Sequence, residues 1–180
     1  MEYFLLTQSK SVVNPIELLV MDPEIYTPQM EHKDFAKLKK MTISYFYHTP
    51  ENEMPDILKH PTYMISDPLR KVLALYDKNL TFRAVQAFPI DSKDMDRVKR
   101  LAKLYWIYDC IHVDCLSKDT VFYPNGEVEE IILDRKKIRP YPIFRPKGLL
   151  ENRMIVSLPV AESIMRRNGY GVGIQPVQVR

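Results

Sequence analysis

The sequence is poor in cysteine and glycine, and it has no long apolar run. Its 180 residues include only 2 cysteines and 5 glycines. Two cysteines are too few for a disulfide framework, and a membrane-spanning helix needs about 20 apolar residues. Neither charge sign dominates, because 26 basic and 23 acidic residues leave a net charge of +3. We therefore expect a cytoplasmic protein that has no membrane partner and is not a dedicated nucleic-acid binder.

Signatures of nucleotide and cofactor sites are also missing from the sequence. There is no P-loop, no GxSxG and no kinase motif. The lone GxG at residues 171–173 follows a predicted helix and precedes a predicted strand, whereas a dinucleotide fingerprint needs the reverse order. We expect no cofactor, and a small-molecule ligand is not favoured.

The composition that remains is typical of a globular domain. Hydrophobic residues make up 46% and charged residues 27%, with 14 prolines setting many turns. Short strands and helices without regular βαβ alternation predict an α+β fold. We expect one domain over residues 1–180, with residues 1–65 as a possible subregion. Its mixed, mainly antiparallel sheet should carry a few amphipathic helices, and no internal repeat is visible.

Two segments have the periodicity of amphipathic helices. In SDPLRKVLALYD, Asp67 is placed to cap a helix that has Pro68 at its first position. In DSKDMDRVKRLAKLY, Asp91 or Ser92 is the expected cap. The inward side chains of this second helix would be Met95, Val98, Ala102 and Tyr105. Its basic residues are Arg97, Lys99, Arg100 and Lys103, which we interpret as a solvated face, with a nucleic-acid adaptor as an open alternative.

Two polar segments are candidates for the surface. Residues 49–61 contain three prolines and predict an exposed loop that carries Glu51, Glu53 and Asp56. The segment VFYPNGEVEEIIL predicts a β-hairpin in which Gly126 takes the left-handed position. The acidic cluster that follows the turn consists of Glu127, Glu129 and Glu130.

The segment YWIYDCIHVDCL, residues 105–116, concentrates the residue types used in catalysis. It holds both cysteines and the only tryptophan. If residues 105–115 form one strand, Cys110 and Cys115 point to opposite faces and cannot easily share a disulfide or a metal ion. His112 and Asp114 share a face, which leaves open a metal-dependent hydrolase that uses these two residues. A zinc site needs a third ligand, and no HExxH motif supplies one.

Four blocks of the sequence resemble bacterial immunity proteins of the Imm-eleven type. They are MEYFLL, SDPLRKVLALYDKNLTFRAV, YWIYDCIHVDCL and IFRPKGLLENRMIVSLPVAESIMRRNGYGVGIQPV, and they follow the same order as in the family. The resemblance implies a non-catalytic cytoplasmic antidote that binds a cognate toxin domain encoded beside it. The residues expected to contact this partner are Phe144, Arg145, Trp106, Glu127, Glu129 and Glu130.

Overall fold

The computed structural model describes residues 2–19, 21–90 and 93–180. Within them are four helices, α1 His32–Lys37, α2 Asp67–Tyr76, α3 Met95–Leu101 and α4 Leu158–Met165. The strands are β1 Tyr3–Gln8, β2 Met41–Phe46, β3 Ile57–Leu58, β4 Met64–Ser66, β5 Thr81–Pro89, β6 Lys103–Asp109, β7 His112–Val113, β8 Val121–Phe122, β9 Val128–Glu130, β10 Ile132–Leu133, β11 Ile143–Pro146, β12 Met154–Ser157 and β13 Val172–Val179. The predicted α+β class is confirmed. None of the helices in the described ranges is long and apolar enough to cross a membrane.

The strands are divided between two main sheets and one hairpin. The five-stranded sheet has the order β2-β5-β6-β4-β3, and the six-stranded sheet has the order β10-β13-β1-β12-β11-β7. Most neighbouring strands are antiparallel, as predicted. The parallel pairs are β2 with β5, β10 with β13, and β7 with β11. The hairpin β8–β9 lies where the sequence predicted it, and Gly126 has a positive φ of 83°.

The two sheets repeat one topology that the sequence reading missed. In the five-stranded sheet, β4–α2–β5 flanks the antiparallel strand β6, with β3 beside β4 and β2 parallel to β5. In the six-stranded sheet, β12–α4–β13 flanks β1 in the same way, with β11 beside β12 and β10 parallel to β13. The N-terminal strand β1 therefore occupies the position that β6 holds in the first unit. The chain contains a permuted internal repeat.

The strand registers of the two units coincide residue by residue. Tyr105 lies opposite Ser66 at the end of β4, and Tyr3 lies opposite Ser157 at the end of β12. On their other sides the two tyrosines face Val85 and Val177. Ile57 and Ile143 each pair with the residue before the serine. Few other equivalent positions of the two units carry identical residues, so the repeat is hard to see in the sequence.

Both long helices begin at a serine. Ser66 is the N-cap of α2 and Ser157 is the N-cap of α4, and a proline follows two residues later in each case. The prediction that Asp67 caps α2 is therefore wrong by one residue, because the extended strand β4 continues to Ser66. Helix α2 buries Leu69, Val72 and Leu73, as its periodicity predicted.

Helices α2 and α4 pack against each other in the centre of the protein. Tyr76 and Ser163 join them through a hydrogen bond of 2.6 Å between their hydroxyl groups. The central core combines side chains of both units, including Ile65, Val72, Val156, Val160 and Ile164. The two repeats therefore share one core.

A second core lies on the other face of the five-stranded sheet. Residues 16–38, apart from Val20, supply Ile16, Met30, Phe35 and other apolar side chains to it. A third core, built around Tyr3, Phe144, Cys115 and Leu133, lies on the corresponding face of the six-stranded sheet. Residues 1–65 contribute strands to both sheets.

The predicted strand over residues 105–115 is interrupted. β6 ends at Asp109, and β7 begins at His112 in the other sheet, where it runs parallel to β11. The chain leaves the five-stranded sheet at Cys110 and Ile111 because residues beyond Asp109 have no strand partner there. This crossing brings Asp109 and His112 to the junction between the two repeats.

Helix α3 differs from its prediction. The expected caps Asp91 and Ser92 lie outside the described residues, and the N-cap is Asp94, whose carboxylate accepts from the backbone N–H of Asp96 at 2.9 Å. None of the helix residues is buried, and Met95 is 64% exposed, so the prediction of an inward-facing Met95 is wrong. Tyr105 is fully buried, as predicted, but it belongs to β6 and not to the helix. The helix stops at Leu101 because residues from Lys103 onward pair with β5.

The segment 49–61 is not a free loop. It contains the strand β3. The Glu53 carboxylate accepts hydrogen bonds from the backbone N–H of Val13 and Asn14 at 2.8 and 2.7 Å. Asp56 accepts one from the backbone N–H of Tyr170 at 2.8 Å. These two carboxylates hold neighbouring segments of the protein together.

Candidate functional site

Phe144 and Arg145, two of the expected partner contacts, lie inside the protein. Both belong to β11, all four of whose residues are buried. The Phe144 ring packs edge-on against Tyr3, with 5.4 Å between ring centroids. Arg145 donates to the backbone carbonyl oxygens of Met30, at 2.6 Å, and Leu149, at 3.4 Å. The expectation of surface contacts is wrong for this pair, because both side chains are enclosed by the fold.

Trp106 is half-buried and fixed by neighbouring polar groups. Its indole N–H donates to the Asp67 carboxylate at 3.0 Å, and the Arg70 guanidinium lies 4.5 Å from its ring centroid. Hydrogen bonds from Lys71, together with those from Arg70 and Trp106, outweigh burial and hold the pKa of the Asp67 carboxyl below its ordinary value. Trp106 therefore belongs to a rigid cluster that anchors the start of α2 on β6.

The acidic cluster is exposed, as predicted, and two of its members line a groove. Glu129 and Glu130 border a depression of about 710 Å³ beside β1 and β13. Lys10, Lys59 and Arg153 line the same groove, so its charge is mixed. Glu130 accepts a hydrogen bond from the side chain of Gln178 at 2.7 Å. Glu127 is exposed but does not line the groove.

The fold does not bring His112 and Asp114 together. The Asp114 side chain is 76% exposed and lies 3.6 Å from the Lys137 ammonium group. His112 is mostly buried and faces Asp109 instead. In the described part of the chain, no three His, Cys, Asp or Glu side chains are arranged to hold a metal ion. The hydrolase hypothesis based on His112 and Asp114 loses its geometric basis.

His112 belongs to a different cluster, which includes His32 and Asp109. Nδ1 of His32 forms a short hydrogen bond with Oδ2 of the Asp109 carboxylate. Nε2 of His112 lies 3.3 Å from the other oxygen, Oδ1. The two imidazole rings meet edge-on, with centroids 5.9 Å apart. Burial raises the pKa of Asp109, but its contacts with His112 and His32 outweigh burial, and the net pKa is lowered.

This cluster lies between two surface depressions. One, of about 680 Å³, is lined by His32 and Asp109, and the other, of about 410 Å³, by His32 and His112. The His32 side chain is 76% exposed, whereas Asp109 is buried. An exposed imidazole held by a buried carboxylate can exchange protons with a bound group. The same contacts also attach α1 to the end of β6, which is a structural role.

Neither cysteine is poised for nucleophilic chemistry. Both are free and buried, and they lie in different cores, with Cys110 in the central core and Cys115 in the third. Burial raises the pKa of the Cys110 thiol well above its ordinary value, and burial raises that of Cys115 to about 12. Since the thiolate is the reactive form, both thiols act as apolar packing groups. The prediction that they do not pair is consistent with this arrangement.

An exposed apolar row follows β2 and continues to Tyr47, directly after the end of the strand. We call the β2 stripe the residues Met41, Ile43, Tyr45 and Tyr47. Their exposed fractions are 60%, 53%, 38% and 63%. The alternate residues Ser44 and Phe46 are fully buried, and Phe46 belongs to the second core. The covered face of the strand therefore carries Thr42, Ser44 and Phe46, whereas the apolar row lies on the uncovered face. At about 3.3 Å per residue, the stripe is roughly 20 Å long.

The sequence did not predict the His32–Asp109 contact or the β2 stripe, for different reasons. His32 and Asp109 are 77 positions apart, and no motif links them. A strand with one solvated face should alternate apolar and polar residues, with the apolar ones buried. Residues 41–45 alternate in this way, but here the apolar residues are exposed and Ser44 is buried. The alternation therefore predicts the opposite orientation of β2.

The sequence matches no model of a known protein family, and it matches none of the curated proteins.

Proposed function

We propose that the protein is a non-catalytic immunity protein that binds a cognate bacterial toxin domain in the cytoplasm and blocks it. The observation that carries this proposal is the β2 stripe. Single exposed apolar residues are common on protein surfaces, but a contiguous apolar patch marks an interaction site. Three such residues lie on β2 and the fourth, Tyr47, comes directly after it, and two of the four are tyrosines. Tyrosine and methionine are enriched at protein interfaces.

The resemblance of four sequence blocks to Imm-eleven proteins supports the proposal independently of the surface. These blocks contribute residues to β1, α2, β5, β6, β7, β11, β12, α4 and β13. They therefore account for the scaffold, whereas the β2 stripe lies in a segment that the blocks do not cover. This division suits an antidote family in which a common framework carries a variable surface for different toxins.

The expected partner contacts are revised under this proposal. Phe144 and Arg145 support the fold, and Trp106 is held within the Asp67 cluster. Glu129 and Glu130 remain accessible in their groove. A stable complex would bury about 1,600 Å² in total, so the β2 stripe would form the centre of a larger contact.

Growth protection tests the proposal. The protein is co-expressed with the C-terminal domain of the toxin-like gene beside its own, either unchanged or as Ile43→Asp. The unchanged protein should restore growth, and Ile43→Asp should not, since the new carboxylate would be buried unpaired in the complex. Met165→Asp, on the exposed end of α4, is the matched control and should protect. Protection by Ile43→Asp equal to that of the control would remove the β2 stripe as the basis of binding.

A second candidate function is general acid–base catalysis at His32. It is favoured by the hydrogen bond between the exposed His32 ring and the buried Asp109 carboxylate beside a cleft. His32→Gln distinguishes the two functions in the same growth assay. A stoichiometric antidote should protect without the imidazole. Lost protection by a variant that still binds the toxin domain would favour catalysis.

A further inference from the structure

The edge of β2, beside the β2 stripe, has backbone groups directed away from the sheet. Lys40 and Phe46 accept hydrogen bonds through their carbonyl oxygens from the N–H groups of Ala84 and Ile90, on the β5 side. In a parallel ladder, alternate residues bond to the same neighbour. The even-numbered residues of β2 therefore face β5, and the N–H and C=O groups of Met41 and Ile43 point to the outer edge.

Part of this edge is already covered by the protein itself. The carbonyl oxygen of Tyr45 accepts from the N–H of Leu19 at 2.7 Å, in an isolated antiparallel bridge. This bridge to Leu19 confirms that the backbone N–H and C=O groups of the odd-numbered residues point to the outer edge of the sheet. The bridge ends the open portion of the edge at Tyr45, so Met41 and Ile43 form the accessible part.

β2 is unlike the other edge strands of the two main sheets. β3, β7 and β10 also lie at edges, and each contains two residues, whereas β2 contains six. Proteins usually protect an edge by keeping it short or by placing charged residues on it. Here the long edge carries apolar side chains, and two exposed lysines, Lys39 and Lys40, come directly before it. No ion pair joins either lysine to a carboxylate of the described residues.

We infer that the open edge of β2 takes an extended strand of the partner protein by β-augmentation, and that this strand is apolar with acidic residues beside Lys39 and Lys40. This inference rests on the proposed function and names the contact that the toxin domain would make. Main-chain hydrogen bonds to Met41 and Ile43 give affinity, and the side chains of the β2 stripe select the partner strand. The two exposed lysines favour an acidic partner strand over a basic one.

A proline substitution at position 43 tests the contribution of the backbone edge separately from that of the β2 stripe side chains. Ile43→Pro removes the outward N–H but leaves the hydrogen bonds to β5, because Ile43 faces the other way. Ile43→Ala removes most of the same side chain and keeps the N–H. Binding of the toxin domain to both variants is measured by titration at low and high salt. β-augmentation predicts that Ile43→Pro weakens binding at least tenfold more than Ile43→Ala, and that added salt weakens binding of the unchanged protein.

Amide hydrogen exchange on the unchanged protein supplies a measurement that does not depend on a variant folding. The amides of Met41 and Ile43 should exchange quickly in the free protein and become protected in the complex. If the toxin domain binds while these amides stay unprotected and the two variants bind equally, the edge inference is overturned and the proposed function stands. If the unchanged protein does not bind the toxin domain, both the edge inference and the proposed function are overturned. Protection of the same amides in the free protein by self-association would also overturn the inference.

Discussion

Tyr105 and Tyr3 occupy equivalent positions in the two repeats, and the hydroxyl group of each donates to a backbone carbonyl oxygen. Each tyrosine lies in the central strand of its unit, opposite the serine that caps the following helix. The Tyr105 hydroxyl donates to the carbonyl oxygen of Pro55, two residues before β3, at 3.0 Å. The Tyr3 hydroxyl donates to that of Arg139, four residues before β11, at 3.3 Å. In both units the central strand is therefore joined to the segment that leads into the corresponding strand, although the acceptor residue is displaced by two positions.

The two hydrogen bonds differ in length and burial, so we expect the Tyr→Phe substitution to lower the free energy of unfolding by different amounts at the two positions. Tyr105→Phe leaves a fully buried carbonyl without its donor and should lower the free energy of unfolding by about 1–2 kcal/mol. Tyr3→Phe breaks a longer, half-buried bond and should cost less. Urea unfolding of the two variants beside the unchanged protein measures both effects. No cost at Tyr105 would show that its hydrogen bond does not stabilise the first unit, and equal costs at the two positions would contradict the predicted difference.

Substitution of Arg145 should lower the stability of the protein, whereas the sequence had led us to expect an effect on partner binding. Its guanidinium joins β11 to the carbonyl oxygens of Met30 and Leu149 inside the protein. Arg145→Gln should lower the free energy of unfolding by about 2–3 kcal/mol, since charged hydrogen bonds are lost in a buried site. Arg166→Gln removes an exposed arginine that pairs with Glu162 on α4, and it should change stability by less than about 0.5 kcal/mol. A surface role for Arg145 would give the two variants similar stabilities.

Both thiols should be unreactive in the folded protein. Cys110 and Cys115 are buried, and burial raises the pKa of each. A disulfide reagent at mildly alkaline pH should therefore label neither residue until guanidinium chloride unfolds the chain, and then label both. Fast labelling of either cysteine in the native protein would contradict the packing of its core.

The Asp109 carboxylate predicts a loss of stability in acid. Its pKa is lower in the folded protein than its ordinary value. Such a group contributes stability above its unfolded pKa of about 3.9, and this contribution is lost as the pH falls through the lower folded value. Asp109→Asn should therefore be less stable than the unchanged protein at neutral pH.

The stability difference between these two proteins should shrink below about pH 4. Urea unfolding from neutral to acidic pH measures it. Asp114→Asn is the control, because Asp114 is exposed, and it should show no such convergence. A difference at Asp109 that stays constant with pH would contradict the ionised state assigned to this carboxylate.

Much of the local structure could be predicted from the sequence. The periodicity of residues 69–76 and the proline before them placed α2, and the turn residues placed the β8–β9 hairpin. The boundaries that failed were set by tertiary contacts. Residues 105–113 have strand propensity throughout, yet the chain changes sheets at Cys110 because the five-stranded sheet ends there.

The surface features were harder to predict than the fold. Phe144 and Arg145 look like interface residues in a sequence, but β11 is covered on both faces. The His32–Asp109 contact depends on a sequence separation of 77 residues. The permuted repeat was hidden because its last strand, β1, comes first in the chain. Each of these depends on long-range pairing, which local patterns do not encode.

Binding between purified proteins tests the central claim most directly. The protein is mixed with the toxin domain that the proposed function expects to be encoded beside its gene, and the mixture is run on a size-exclusion column. We predict co-elution in a fixed stoichiometry for the unchanged protein and for Met165→Asp, and separate elution for Ile43→Asp. Separate elution of the unchanged protein and the toxin domain, with the toxin activity intact in the mixture, would contradict the account.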